Sequence, residues 1–155
     1  MDALLREQIQ DAIIDASVRD SATFEDALKL LHDSGLPAIA VLSEDGGVVG
    51  LFGAKEVLRG LFPGYLDELK HSAFIADDLP GLQQHLIEVS TEPVTEFMAE
   101  PLVVDTDTSA IHIAEQLVHS DIRAIALTEN GQFIGMLGAH RFSWCVYRSL
   151  VWPSF

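Results

Sequence analysis

The sequence contains the same short pattern twice, in residues 48–58 (VVGLFGAKEVL) and residues 133–143 (FIGMLGAHRFS). In each copy two apolar residues precede a glycine, two more apolar residues follow, and Gly-Ala then begins a segment that resembles a helix. The copies lie 85 residues apart in a chain of 155, which leaves room for two such units. The repeat therefore restricts the fold to two similar units, each too small to cover its own sheet, that pack against each other.

The repetition extends to the flanks of this pattern. Upstream, four apolar residues with the i, i+3, i+4 and i+7 spacing of one helical face recur 86 residues later. They are Phe24, Ala27, Leu28 and Leu31 in the first copy and Ala110, Ile113, Ala114 and Leu117 in the second. Between this helix and the pattern, LPAIAVL (36–42) matches IRAIALT (122–128). Each copy is thus predicted to contain a helix, a strand, a turn, a strand and a second helix.

Local signals indicate where the helices begin and end. Thr23 and Asp26 have the spacing of a capping box, and Gly35 is suited to end the same helix in a left-handed conformation. The second helix of each copy is predicted at about residues 54–62 and 139–151.

The strand signals are equally local. Asp-Gly-Gly (45–47) and Asn-Gly (130–131) separate apolar runs and predict hairpins. Residues 38–42 and 48–52 are apolar without polar alternation, which predicts strands that are covered on both faces.

These patterns predict a division of the chain into three parts. The first unit with an N-terminal helix comprises residues 1–62, a helical connecting segment comprises 63–93, and the second unit with a C-terminal helix comprises 94–155. The connecting segment has Pro-Gly breaks at 63–64 and 80–81 but is too apolar for a flexible linker. We expect it to fold against the two units.

The charge of the chain argues against two classes of partner. With 24 acidic and 9 basic residues, the formal net charge is −15. Because nucleic-acid binding depends on Lys and Arg, and acidic lipid surfaces repel an acidic protein, we expect neither nucleic acid nor membrane as a partner. The first residues carry acids where a signal peptide carries bases, and the apolar runs are too short to span a bilayer, so we predict a cytoplasmic protein.

No pattern indicates catalysis or a metal site. Cys145 is the only cysteine and lies in an apolar helical run without a neighbouring base, so we interpret it as packing rather than as a nucleophile. His112, Glu115 and His119 share one helical face, a spacing compatible with metal ligands. We interpret them as a solvated face, because metal sites usually draw ligands from several elements. The predicted sites are therefore neither catalytic nor metal-binding.

Taken together, the duplicated units resemble a pair of CBS domains, which is called a Bateman module. The features that carry the resemblance are the upstream V-x-x-x-M segment (VTEFM, 94–98), the apolar strand and hairpin, and the glycine-marked turn into a helix. It covers roughly residues 8–151. The resemblance implies an α+β fold in which two tandem CBS domains, each a small β-sheet flanked by helices, pack around a pseudo-twofold axis. It also implies two clefts that often hold adenosyl ligands such as AMP, ATP or S-adenosylmethionine.

The family's ligand signature, G-h-h-[ST]-x-x-D with h apolar, is altered in both copies. The resemblance assigns the hydroxyl position, which contacts phosphate, to Gly53 and Gly138, and the acidic position, which holds the ribose diol, to Glu56 and Arg141. Glu56 can still accept hydrogen bonds from a diol, whereas Arg141 has only donors and suits a phosphate. We therefore expect unequal clefts.

Each of these residues also has a structural interpretation. Gly53 and Gly138 would serve only to turn a strand into a helix through a positive φ, and Glu56 and Arg141 would be solvated charges. The resemblance further implies that five residues line the clefts: Ala16, Val18, Ala38, Ala124 and His140. For the four apolar residues the alternative is ordinary core packing.

The predicted function is that of a non-catalytic regulatory module. It binds an adenosine-containing ligand between its halves and signals to an unidentified protein partner. The alternative is a ligand-free scaffold for protein–protein interaction. The aromatic run at residues 142–155 requires a covering surface for Trp144, Tyr147, Val151 and Trp152, either the N-terminal helix or a second subunit. Because modules of this family commonly form dimers, the resemblance favours a homodimer.

Overall fold

The computed structural model describes residues 3–62 and 79–151 of the chain. Trp152 and a large part of the expected connecting segment lie outside the described residues. In chain order the elements are α1 (Ala3–Ala12), β1 (Ser17–Arg19), α2 (Phe24–Ser34), β2 (Ala38–Leu42), β3 (Val48–Gly53), α3 (Ala54–Leu61), α4 (Leu79–Ser90), a 3-10 turn (Val94–Glu96), β4 (Val103–Asp105), α5 (Ala110–Val118), β5 (Ala124–Glu129), β6 (Gln132–Gly138) and α6 (Ala139–Val151).

The strands form two sheets with the same topology. The orders are β1-β2-β3 and β4-β5-β6, and in each sheet the first pair is parallel and the second antiparallel. Both antiparallel pairs contain a bulge at the same place, which leaves Val49 and Ile134 without a partner in the register. The internal repeat predicted from the sequence is therefore present in the strands, down to an irregularity that no residue pattern indicated.

The predicted capping signals are confirmed. Thr23 Oγ1 accepts a hydrogen bond from Asp26 N at 3.2 Å, Asp26 Oδ2 accepts one from Thr23 N at 3.4 Å, and Gly35 ends α2 at φ 68°. The second copy uses Ser109, whose Oγ accepts from His112 N at 3.2 Å. These bonds satisfy N–H groups that have no partner inside the helix.

The hairpins are also confirmed, with different turns in the two copies. Asn130 (φ 53°) and Gly131 (φ 78°) form a two-residue connection between β5 and β6, in which the positive φ values match the twist of the strands. The connection between β2 and β3 is longer and has Gly46 at φ 89°. The extra residue in the first copy accounts for the change of the repeat offset from 86 to 85.

Alternate residues of the central strands face two different cores, as the absence of polar alternation predicted. Ile39 and Val41 pack against the helices of their own unit. Ala38 and Ala40 point the other way, into a layer between the two sheets that also contains Leu51, Ala124, Ala126 and Met136. All six are fully buried. Alanines on both sheets allow the two units to approach closely.

The two units exchange short segments in a reciprocal way. Ile14, just after α1, forms a pair of hydrogen bonds with Met136 of β6, at 3.0 and 2.8 Å. Ala99, between the 3-10 turn and β4 of the second unit, forms the equivalent pair with Leu51 of β3, also at 3.0 and 2.8 Å. Residue by residue, each exchange matches the other at a spacing of 85, so the two halves are related by a pseudo-twofold axis.

The outer helices follow the same exchange. α1 packs on α6 of the second unit, where Leu5 and Ile9 join its core and Cys145 Sγ donates a weak hydrogen bond to Gln8 O at 3.6 Å. α4 packs on α2 and α3 of the first unit, where Val89 is buried. α1 thus covers the face of α6 that carries Cys145, whereas Trp144, Tyr147 and Val151, for which a covering surface was predicted, are exposed and not covered by the N-terminal helix.

Candidate functional site

Two cavities lie where the third strand of each sheet ends and the following helix begins. The first cleft, about 220 Å³, is bounded by the start of α3 and by residues 121–123 before β5. The second cleft, about 430 Å³, is bounded by the start of α6 and by residues 35–37 before β2. Pro37 and Arg123, which occupy equivalent positions in the repeat, line both cavities. Each cleft is therefore built from both units, and the two meet near the pseudo-twofold axis.

In the first cleft the carboxylate of Glu56 is already in use. Its side chain is buried, and Oε2 accepts a hydrogen bond from Gly53 N at 3.1 Å, which caps α3. This contact fixes one oxygen of the carboxylate at a helix start, where a negative charge is favourable.

An ion pair crosses the mouth of the first cleft. Lys55 Nζ, on α3, lies 3.0 Å from Asp121 Oδ2, in the loop before β5 of the other unit. The hydrogen bond and charge of Lys55 lower the pKa of Asp121. At the equivalent positions of the second cleft stand His140 and Gly35, which cannot form such a pair because Gly35 has no side chain.

The expectation that Gly53 and Gly138 need a positive φ is wrong. Gly53 has φ −136°, and the described glycines with positive φ do not include Gly138. Gly53 is required by space instead, because a Cβ there would lie 2.7 Å from the carbonyl oxygen of Pro37. A Cβ at Gly138 would lie at ordinary contact distance, 3.7 Å from Pro37 Cδ. A hydroxyl side chain of the family signature thus fits only the second cleft.

Among the described residues, the lining of the second cleft contains arginine and histidine side chains and no carboxylate. Arg123, His140 and Arg141 line it, and all three side chains are exposed. Ala139 N, the first N–H of α6, donates to Arg123 O at 2.9 Å, which holds the loop before β5 against the helix start. The N–H groups of the following two residues have no partner inside the helix. The cleft thus offers several hydrogen-bond donors to an anion.

The structure brings the predicted site residues together in two separate groups. Gly53 and Glu56 line the first cleft, whereas Gly138, His140 and Arg141 line the second. Four further predicted residues are absent from both linings: Ala38 and Ala124 lie in the layer between the sheets, Ala16 lies in the core of the first unit, and Val18 is half-buried against that core.

Arg123 was missed in the sequence. The repeat does relate Arg123 to Pro37, because the two positions are separated by the same 86 residues that separate the equivalent helices. That Arg123 lines both clefts follows only from the way the loops of the two units pack together.

The remaining candidate groups have structural partners. His112 Nδ1 lies 3.8 Å from Glu115 Oε2 on an exposed helix face, and His112 Nε2 lies 2.8 Å from the amide of Gln116. Among the described residues, no three His, Cys, Asp or Glu side chains could hold a metal ion together. Cys145 is buried, and burial raises the pKa of its thiol.

Across residues 3–62 and 79–151, no helix has the length and apolar character needed for a membrane span.

Comparisons with known proteins agree with this architecture. A CBS domain protein from Kribbella flavida, of unknown function, superposes with a TM-score of 0.69 and 22% identity, over 88% of this chain and 96% of that chain. CBSX2 from Arabidopsis thaliana, a CBS-pair protein, superposes with a TM-score of 0.66 and 20% identity, over 91% and 94%. CBSX2 in complex with AMP gives a TM-score of 0.64, 20% identity, and coverage of 91% and 96%.

A comparison with curated proteins found no matching sequence. The identities to the solved structures are low, so those structures establish the fold alone. The sequence itself matches the CBS domain family in two regions, residues 10–62 and 94–142. Because these regions cover most of the chain and coincide with the two sheets and their helices, the chain belongs to the CBS domain family and carries two CBS domains in tandem.

Proposed function

We propose that the chain is a non-catalytic regulatory module that binds an adenosine-containing ligand between its two halves and passes the bound state to a protein partner. The second cleft carries this proposal. It is a 430 Å³ cavity between the two domains, and it presents Arg123 and Arg141 in a chain of net charge −15. A local cation cluster in an acidic protein favours an anionic ligand at that place. The AMP complex of CBSX2 supports an adenine nucleotide as the ligand class.

The position of the ligand gives the module a means of signalling. Arg123 belongs to the second domain and residues 35–37 to the first, so a ligand in the second cleft touches both. Such a ligand stabilises the arrangement of the two domains in which all its contacts form, and shifts the population toward it. A partner that binds one arrangement better would then respond to the ligand.

Glu56 is the proposed acceptor for the ribose. The two clefts share Pro37 and Arg123, so a nucleotide with its phosphates in the second cleft can extend its sugar toward the first. Only Oε2 of Glu56 is engaged by Gly53 N, which leaves the other carboxylate oxygen as an acceptor for a hydroxyl.

A second candidate function, a scaffold for protein association, is favoured by an exposed apolar face on α5 and α6. Its side chains are Ile111, Trp144, Tyr147, Leu150 and Val151, of which Ile111 is 84% and Leu150 69% exposed. Trp144 and Tyr147 stack with ring centroids 6.0 Å apart, beside an apolar groove between the two helices. We propose that this face forms a homodimer, in which a twofold axis brings the same apolar patch of both subunits together.

A thermal-shift series tests the ligand proposal. The full chain is heated with AMP, ADP, ATP, S-adenosylmethionine or NAD. A ligand at about a hundred times its dissociation constant stabilises the folded state by ~2.7 kcal/mol, which raises Tm by roughly 5 to 10 °C. Arg141→Gln should reduce the shift, and Arg19→Gln, an equal charge change on the exposed end of β1, should leave it unchanged. If none of the five ligands changes Tm, the regulatory proposal fails and the scaffold replaces it.

A further inference from the structure

The two clefts differ in the charge of their linings. The first contains two cations, Lys55 and Arg123, and two carboxylates, Glu56 and Asp121, so the charges balance. The second contains Arg123, Arg141 and His140, and its lining has no carboxylate. Its formal charge is therefore at least +2, although the chain as a whole is strongly acidic.

This difference determines which ligands gain most from the second cleft. Each additional phosphate charge near Arg123 and Arg141 adds attraction, and guanidinium groups bind phosphate oxygens in pairs. A monophosphate carries about −1.5 to −2 charges at pH 7, whereas a di- or triphosphate carries more charge over a greater length and can contact both guanidinium groups at once. S-adenosylmethionine brings a positive sulfonium centre, which the same groups repel.

The cleft also offers more than one group of donors to a chain of phosphates. One is the start of α6, where N–H groups without intrahelical partners and the side chain of Arg141 lie next to each other. The other is the side of the cavity formed by Arg123, which continues into the first cleft. Gly138 also lines this cavity, and a Cβ there would meet only ordinary contacts, 3.7 Å from Pro37 Cδ. The cavity is about twice as large as the first cleft, 430 Å³ against 220 Å³.

We propose that the second cleft selects nucleotides with two or more phosphate groups over AMP and over S-adenosylmethionine. This inference rests on the proposed function, because it names the ligand class for the same site. Arg123, in the loop before β5, and Arg141, in the first turn of α6, determine the selectivity. The first cleft, with balanced charges, contributes little to the phosphate contacts.

Isothermal titration of the full chain tests the selectivity. The probes are ATP, ADP, AMP and S-adenosylmethionine, together with inorganic tripolyphosphate, which has the phosphates without the nucleoside. We expect ATP and ADP to bind at least about tenfold more tightly than AMP, which corresponds to one further charged hydrogen bond. Tripolyphosphate should bind measurably, and S-adenosylmethionine should not. Raising the salt concentration should weaken ATP more than AMP, because exposed charges are screened.

Matched variants assign the effect to the two arginines. Arg123→Gln and Arg141→Gln should each weaken ATP by about five- to tenfold and change AMP less, whereas Arg19→Gln should change neither. If AMP binds as tightly as ATP, the inference is wrong and the proposed function stands. If tripolyphosphate binds but no adenosine-containing ligand does, the polyanion site is real and the proposed function is wrong. If no probe binds, both are wrong.

Discussion

At the scale of single residues, the two glycines that end β3 and β6 have different surroundings. A Cβ at Gly53 would lie 2.7 Å from a backbone oxygen, which cannot move without the chain, whereas a Cβ at Gly138 meets only ordinary contacts. We therefore expect Gly53→Ser to lower the free energy of unfolding by about 1–3 kcal/mol, as overpacking does. Gly138→Ser should change it by no more than about 0.5 kcal/mol. Urea denaturation of both variants measures the difference.

The pair of variants contains its own control, because the substitution and the position in the repeat are the same. Equal destabilisation by both would show that the glycines act through backbone conformation rather than through space at Pro37. Gly138→Ser also restores the hydroxyl of the family signature. The variant is thus a folded protein in which the effect of that hydroxyl on nucleotide binding can be measured.

Cys145 provides a second prediction at this scale. The thiol is 3% exposed, donates to Gln8 O, and has a pKa raised by burial, so little thiolate forms at neutral pH. We expect a thiol reagent to label the native protein slowly and the urea-unfolded protein rapidly. Fast labelling of the native chain would mean that α1 separates from α6 frequently, since that helix covers the sulfur.

The sequence predicted some site residues and not others, for a physical reason. Gly53, Glu56, Gly138 and Arg141 were predicted because they belong to a repeated local motif, and they line the two cavities. The cap formed by Glu56 was not foreseen, although Glu three residues after a helix start commonly reaches back to the chain. Arg123 was missed because its place in both clefts depends on how two distant loops meet. Local patterns determine helix ends, whereas cleft composition follows from the packing of the halves.

At the scale of elements, the same distinction holds. The two helices, the hairpin and its two strands in each copy follow from apolar periodicity and turn residues, and they were predicted within a few residues. The short strands β1 and β4 were not predicted. The exchange of segments between the two units was not predicted, because the pairing of Ile14 with Met136 joins residues that are far apart in the chain. The exchange explains two glycines of the sequence. A Cβ at Gly135 would lie 2.8 Å from Ile13 Cβ, and a Cβ at Gly50 would clash with the side chain of Met98. The repeated first glycine of each pattern is therefore explained by the crossing segment of the other unit.

The ion pair between Lys55 on α3 and Asp121 in the loop before β5 leads to a prediction for these elements. Asp121→Asn removes the ion pair with Lys55 while preserving shape, so the start of α3 should open more often. We expect amide hydrogen exchange around Gly53–Val57 to accelerate by up to about fivefold, the limit for an exposed pair. Asp107→Asn is the control, because it breaks a similar exposed pair with Arg6 (2.8 Å) away from both clefts. Unchanged exchange in Asp121→Asn would show that Glu56 alone holds the first cleft closed.

The stability that the Lys55–Asp121 ion pair contributes depends on pH in a defined way. Lys55 lowers the pKa of Asp121 from its ordinary 3.8, so the folded state binds this proton less readily than the unfolded chain. The contribution of the pair to stability is therefore fully present above pH 3.8 and is lost as pH falls through the lowered pKa. Exchange around Gly53–Val57 should approach that of Asp121→Asn in this acidic range, and a difference that persists at the lowest pH would contradict the assignment.

At the scale of the whole molecule, the scaffold is nearly symmetric and the sites are not. The two sheets have the same topology, the same bulge and equivalent exchanged segments. The first cleft contains the Lys55–Asp121 ion pair and the Glu56 cap and has balanced charges, whereas the second, in the described part of the chain, has an excess of positive charge and no such ion pair. A duplicated fold allows this, because packing restrains the alanines and glycines between the halves but leaves the cleft residues free to diverge. The proposed function therefore uses one principal ligand position in place of two.

The apolar face on α5 and α6 provides the prediction for the assembly. Its exposed side chains form one continuous group beside a groove, which is more apolar surface than isolated positions require. We expect the chain to be a dimer in light scattering at micromolar concentration, and Leu150→Arg to convert it to a monomer by placing an unpaired charge in the contact. Ile87→Arg changes a side chain of similar exposure, 56%, on α4 and should leave the dimer intact.

The outcomes separate the alternatives for this face. If Ile87→Arg dissociates the dimer and Leu150→Arg does not, the contact lies on α4. If the wild-type chain is a monomer throughout, the α5–α6 face belongs to a different protein, and the scaffold function would need that partner rather than a second copy. If both variants stay dimeric, one charge is too little to open the interface, or the contact lies elsewhere; Tyr147→Arg combined with Leu150→Arg then decides, because two charges in one face of this size cannot be accommodated without loss of the contact.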